Sequence, residues 1–383
     1  VVCLCDVDAK RLKAAGELHP GARLYSDWRE MLDKERDNLD GVSVTTPDHM
    51  HAPITMTALH AGLNVYCQKP LTHTVVEARA IREAARTAGV VTQMGIQNRS
   101  NTHYRTAREF FATGVTGAVR SIHVWTDRPT GWWPQNVDRP EGSDAIPEEL
   151  DWNLWLGVAP TRPYKKGAYH AFVWRGRKDF GTGAQGDMAC HLMDPGLWFP
   201  GLGDPSTVRS EGPKPNADSY PEWSRIHYAF PASDSTHPDG VEFVWYDGAK
   251  KPDELLKSLG VENPYANACL FVGEKATLLV SPYEPCRLFS KEGRELTLAL
   301  EAVPAVNHWH QWVDACLGTG STTAGFDYAS QLTEVALLGN VALEFPGETL
   351  AWDAQSLTFP GRVDATALLH KSYRRGWECE GLS

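Results

Sequence analysis

The sequence predicts an α/β protein in two parts: an N-terminal parallel, doubly wound sheet, then an α+β part built on a large, mostly antiparallel open sheet. Three observations predict it. Over residues 1–98, short β-branched runs alternate with helix-length segments, as in βαβ crossovers. Beyond them, strand-like runs follow one another with long excursions, the habit of antiparallel sheets. The 383 residues are enough for two domains at roughly 150 residues each.

Each element has a local reason. Val1-Val2-Cys3-Leu4-Cys5 is an apolar run ending in Asp6, and Asp8 is suited to cap a helix over Ala9–Ala15. Asp27-Trp28-Arg29-Glu30 has the form of a capping box. Gly41–Thr46 reads as a buried strand stopped by Pro47, Ile54–Ala61 as a helix ended by Gly62, and Leu63–Cys67 as the next strand. Thr74–Ala88 is a helix with Gly89 at its end, and Val90–Met94 a further strand. Right-handed crossovers join such strands, and ligands lie outside their carboxyl ends. That rule selects Asp6, Thr46-Pro47-Asp48, Lys69 and Gln97-Asn98 as candidate site residues. A helix over Tyr104–Thr113 and an alternating strand over Val119–Trp125 follow. Residues 128–182 are irregular and rich in Pro, Gly, Trp and Arg, a length of loop usually spent on lids or binding walls. Strands are expected at 225–230, 241–246, 268–272 and 276–280, and helices at 308–317, 328–343 and 365–374. The expected division is a partial dinucleotide-binding domain over 1–98, an α+β domain over 99–345, and a strand and helix over 346–383 that pack back on the body.

Composition narrows the function. Lys and Arg number 37 against 48 Asp and Glu, a net charge of -11 that argues against a nucleic-acid backbone binder. No apolar run reaches the ~20 residues that a membrane span needs. The eight cysteines are scattered without C-x-x-C and read as buried thiols, not a disulfide framework. Trp occurs 14 times; packing accounts for most of these rings, and carbohydrate stacking is compatible with the surplus.

The opening strand that ends in Asp6 has the form of a dinucleotide-binding βαβ unit whose first strand, glycine loop and helix are missing, about 30 residues upstream. An ordinary strand-end acid fits equally. Lys69, set before Pro70, is held extended at the top of the sheet, where a lysine can hydrogen-bond a reacting hydroxyl; a solvated surface lysine is the alternative. Asp187 and His191 are four apart and share one face if helical. They fit an exposed pair, an acid–base pair, or half of a metal site with Asp194. Gly181-Thr182-Gly183-Ala184-Gln185-Gly186 matches G-x-G-x-x-G, but no apolar strand precedes it, so the glycines read as positions that let backbone approach a ligand beside Asp187. His49, His51 and His60 near Asp48 invite a metal reading, while substrate binding or capping suits their place at a helix start. No metal is expected.

In combination and order, Val42–His51 with its Thr46-Pro47-Asp48-His49-Met50-His51 core, Cys67-Gln68-Lys69-Pro70-Leu71, Gly95–Arg99, and Gly186-Asp187 through His191 to Asp194 resemble the Gfo/Idh/MocA family of oxidoreductases. Gln68 stands where Glu is usual in its E-K-P motif. Trp132-Trp133-Pro134 and Leu150–Gly157 resemble a bacterial subgroup of that family. The resemblance implies a Rossmann-type N-terminal domain, a C-terminal domain whose open sheet mediates a homo-oligomer (dimer or tetramer), and a carbohydrate substrate. It implies NAD rather than NADP, because Asp6 would accept bonds from the adenosine ribose and repel a 2′-phosphate. Cofactor is then expected at Asp6, Thr46, Pro47, His51, Lys69 and Asn98. Substrate is expected at Lys69, Asn98, Arg175, Asp187 and His191, with Lys69, Asp187 and His191 catalytic. The implied reaction is hydride transfer from a secondary hydroxyl of a sugar, glycoside or cyclitol. A redox-neutral glycosidase acting by transient oxidation and elimination is one alternative; a non-catalytic sugar- or protein-binding homologue is the other. Localisation, cytoplasmic or exported, stays open.

Overall fold

A computed structural model describes residues 1–297 and 301–383. Its strands are β1 (Cys3–Cys5), β2 (Arg23–Tyr25), β3 (Gly41–Val44), β4 (Asn64–Cys67), β5 (Thr92–Met94), β6 (Val119–Trp125), β7 (Thr207–Glu211), β8 (Arg225–Phe230), β9 (Val241–Tyr246), β10 (Ala268–Gly273), β11 (Ala276–Val280), β12 (Arg287–Ser290), β13 (Glu295–Leu296) and β14 (Thr349–Ala351). Its helices are α1 (Ala9–Leu18), α2 (Trp28–Glu35), α3 (His51–His60), α4 (Val75–Ala88), α5 (Thr102–Ala112), α6 (Trp152–Leu156), α7 (Gly183–Trp198), α8 (Asp253–Ser258), α9 (His308–Cys316), α10 (Phe326–Ala342) and α11 (Val363–Ala367).

In the first half every pairing is parallel. β1 pairs with β2, and β3-β4-β5 form a second sheet. Helix starts follow their sequence signals. The Asp8 carboxylate accepts from the Lys10 and Arg11 amides, and Asp27 from Arg29. The reciprocal arm expected of Glu30 is absent, because its carboxylate takes Lys34 at i+4 instead. Thr74 and Glu77 do close a full capping box on α4, and Gly89 ends that helix at φ 65°.

The second half is a nine-stranded sheet in the order β13-β12-β11-β10-β6-β9-β8-β7-β14, antiparallel except at β6–β9. α7 lies between this sheet, α10 and the turn after β5. Every residue of α7 but Trp198 is buried, as its near-continuous apolar composition requires. The eight cysteines are free.

The tail departs from the sequence reading. The helix expected over 365–374 spans only Val363–Ala367. Lys371 and Tyr373 both bond Glu77 of the capping box, at 2.9 and 2.6 Å. Side chains two apart reach one acceptor from extended chain, not from a helix. Arg374 then bonds Asn153 at 2.8 Å and stacks with Arg29 about Trp377, while β14 pairs with β7. The tail therefore touches both halves.

α7 approaches the sheet through Gly196. A Cβ there would stand 2.5 Å from the buried Phe243 ring and 3.2 Å from Ile122. Gly196→Ala should cost about 1–2 kcal/mol in denaturant unfolding even after the helix-propensity gain. Gly203→Ala, with no atom within 4 Å, should stay within about 0.5 kcal/mol.

Candidate active site

The carboxyl ends of β1, β3 and β4 open onto a cleft of about 430 Å³, and the second half supplies its far wall. Asp6, Thr46, Pro47, His51 and Lys69 line one side; Trp155, His170, Phe172, Trp174, Arg175 and Asp187 line the other. Eight of the eleven residues selected from sequence, Asp48 among them, thus meet in one space, and Gln97 does not. His191 lies one helical turn beyond Asp187, behind the lining, and Asn98 sits half-buried in the turn after β5, outside it.

The centre of the cleft is an ammonium between two oxygens. Lys69 Nζ donates to Asp187 Oδ1 and to the Asp187 carbonyl, each at 2.7 Å. Both side chains are largely buried, at 16% and 12% exposure, so the exposed-lysine alternative fails. One ammonium hydrogen remains. Arg175 Nε donates to the same Oδ1 at 3.1 Å, and Asp187 Oδ2 has no partner among the described residues. Burial alone would raise the Asp187 carboxyl; the charges of Lys69 and Arg175 overcome it and hold the group below the usual carboxylate range.

His191 is the electrostatic counterpart. Burial, reinforced by the Lys69 charge, pushes its imidazole down to about 3. The ring is therefore neutral at physiological pH. Its Nδ1 is buried without a partner. The backbone at His191 has a special support. Pro195 has no N–H to donate to the carbonyl four residues back, and Tyr104 Oη donates to that carbonyl at 3.0 Å instead.

Other candidates resolve into definite roles. His51 Nδ1 and Nε2 face the carbonyls of Pro70 and Thr46 at 2.7 and 2.8 Å. Two acceptors require two donors, so the ring is an imidazolium. Burial opposes that charge, but Cys67 and Asp48 help raise its value to about 9. Asp194 is spent on Arg99 and on Tyr328 Oη, the latter at 2.6 Å. His49 faces the Trp155 carbonyl at 3.2 Å. Among the described residues, no three His, Cys, Asp or Glu side chains are grouped to hold a metal. The G-x-G-x-x-G glycines make room for the protein's own residues, not for a ligand as the sequence suggests: a Cβ on Gly186 would lie 2.0 Å from Thr182 Oγ1, the hydroxyl that donates to Asp48 at 2.6 Å.

Sequence reasoning missed His170, whose Nε2 lies 3.0 Å from Asp8 Oδ2 and ties the far wall to the first helix cap. It also missed Tyr104. The only signal for Tyr104 is Pro195 itself, which announces a free carbonyl without saying what will fill it.

A dinucleotide fits the near side. Thr46 Oγ1 is buried with no partner, and Asp6 spends only Oδ1, on the Asp8 amide at 2.9 Å. Both are suited to sugar hydroxyls or an amide. Arg11 also lines the cleft, but its guanidinium pairs with Asp8 at 3.5 Å.

Comparison with known proteins identifies the family. Residues 1–96 match the model of an oxidoreductase family with an NAD-binding Rossmann fold, and residues 102–254 match that family's C-terminal alpha/beta domain. Among curated proteins, the chain is 30% identical over 165 residues to an inositol 2-dehydrogenase of Leifsonia xyli, covering 42% of this chain and 47% of that protein. It is 27% identical over 170 residues to a levoglucosan dehydrogenase of Pseudarthrobacter phenanthrenivorans, covering 44% of this chain and 34% of the other. The chain spans half or less of the curated relatives it matches. A solved levoglucosan dehydrogenase, in complex with NADH and levoglucosan, superposes with a TM-score of 0.61 at 16% identity, covering 91% of this chain and 90% of that one. At that identity the likeness is one of fold.

The histidine assignment carries a pH signature. The folded-state value lies below the unfolded value near 6.5. The stability that neutral His191 confers is complete above pH 6.5 and lost as pH falls toward 3, at up to about 1.4 kcal/mol per unit. Wild type should lose stability relative to His191→Gln between pH 7 and 5, and the His191 ring resonances should report a neutral imidazole at pH 5. A ring midpoint between 6 and 7 contradicts the assignment.

Proposed function

This chain belongs to the Gfo/Idh/MocA family of oxidoreductases, and from that premise we propose that it binds NAD in the cleft and oxidises a secondary hydroxyl of a sugar, glycoside or cyclitol. The observation that carries the reading is the Lys69–Asp187 contact, with neutral His191 one turn on. When bound, NAD supplies the hydride acceptor. The protein's part is binding and proton movement. The free Lys69 hydrogen donates to the reacting hydroxyl and favours its deprotonation. Asp187 Oδ2 accepts from a neighbouring hydroxyl and orients the ring. The neutral His191 ring takes the proton and becomes an imidazolium beside the Asp187 carboxylate, which stabilises it. Asp6 would hold the adenosine ribose, and its charge favours NAD over NADP. Gln68 brings no charge, and the carboxylate that meets Lys69 is Asp187.

A second reading is supported by the aromatic wall of Trp155 and Trp174: transient oxidation, elimination of an aglycone and re-reduction, with no net change in NAD. Incubation with NAD and a glycoside panel separates the two. Stoichiometric NADH supports net dehydrogenation, whereas free sugar without NADH supports the redox-neutral cycle.

Lys69→Ala and His191→Ala should each lower turnover by ~10²-fold or more, measured by NADH absorbance, with both still folded by circular dichroism and Lys69→Ala destabilised by about 3–5 kcal/mol in denaturant unfolding. Turnover that survives either change removes that residue from the mechanism. Asp6→Ala should weaken NAD binding in calorimetry and narrow the preference over NADP.

A further inference from the structure

One part of the cleft has no task in this reaction. Phe172 lines the cleft, yet the residue is 43% exposed. It is also held in place. The Arg175 guanidinium lies over it at 4.3 Å, and the buried Trp133 packs against it with ring centroids 6.1 Å apart at 68°. Trp133 is itself fixed by its Nε1 bond to Gln135 at 3.0 Å. Arg175 spends Nε on Asp187 and Nη1 on the Phe172 carbonyl at 3.1 Å; Nη2 has no hydrogen-bond partner among the described residues. A part-exposed aromatic side chain, covered on one face by Arg175, thus adjoins a free two-hydrogen donor whose guanidinium also bonds the carboxylate that orients the reacting ring.

We propose that Phe172 and Arg175 form a second sugar-ring subsite, and that the substrate is a glycoside of at least two pyranose rings. This rests on the reading of the cleft as a carbohydrate oxidoreductase site. The ring next to the oxidised one lays its C–H face on Phe172, while Arg175 Nη2 donates to its ring or hydroxyl oxygens. An aromatic plane with an adjacent planar donor matches a pyranose, whose apolar face is edged by oxygens.

The test compares methyl hexopyranosides with the matching 1,4-linked disaccharides on wild type, Phe172→Ala and Phe172→Trp. The readouts are ligand-observed saturation-transfer NMR, which needs no turnover, and NADH formation. The expected result is that disaccharides bind wild type at least about fivefold more tightly than methyl glycosides. That preference disappears in Phe172→Ala and persists in Phe172→Trp, while methyl glycoside binding and NAD affinity stay within twofold in both. Equal affinity for one and two rings in wild type overturns the proposal. So does a loss of NAD affinity in Phe172→Ala with sugar binding unchanged, which would give the ring to the dinucleotide. A disaccharide preference with no NADH formed upholds the subsite and counts against net dehydrogenation.

Discussion

Between Lys69 and Asp187 runs a 2.7 Å contact that joins the end of the parallel strands to the first turn of a buried helix. Neither charge can be left alone there. Removing one partner of a buried pair strands the other at a cost of about 3–5 kcal/mol. The carboxylate is met by a second cation, Arg175, and the ammonium by a backbone carbonyl as well. The chemistry of the cleft and the docking of its two walls are therefore one interaction, and groups that would hold a substrate hydroxyl also hold the protein shut around it.

The same demand runs along α7. A helix buried on all sides tolerates charge only where it is paired, and α7 carries four titratable side chains. Asp187 takes Lys69 and Arg175 and Asp194 takes Arg99 and Tyr328, while burial keeps His191 and Cys190 neutral and leaves His191 Nδ1 and Asp194 Oδ2 without a partner. The partners come from β4's end, the short helical turn at 173–176, the turn after β5, and α10. Together they fix the helix against rotation and sliding, which apolar packing alone does less sharply. Tyr104 adds a fix at the carbonyl that Pro195 leaves open.

Much of this is legible in the sequence where a local rule operates. Thr74 with Glu77, Gly89 after α4, and the alternation in β6, β8 and β9 mark their elements to within a residue or two. β7 is not legible, because the alternate position it buries beside Val208 is Ser210, whose hydroxyl is satisfied by the Ala342 carbonyl. β14 is three residues long and buries only Leu350. The tail helix overruns because the pull of Glu77 on Lys371 and Tyr373 is invisible along the chain. In the site, Lys69 and Asp187 stand out through spacing and motif order. His170 and Tyr104 do not, since each acts on a residue far along the chain, and no periodicity encodes that partner.

The tail has a mechanical consequence. The chain crosses from the first half to the second after β5, and its end returns to touch α2, α4 and α6 while β14 stays zipped to β7. Two anchorages on separate sides turn an open pair of jaws into a closed loop. Scissor-like swinging would have to tear Glu77 from two partners at once. A ligand must then enter along the mouth of the cleft as it stands, past walls that the tail holds together.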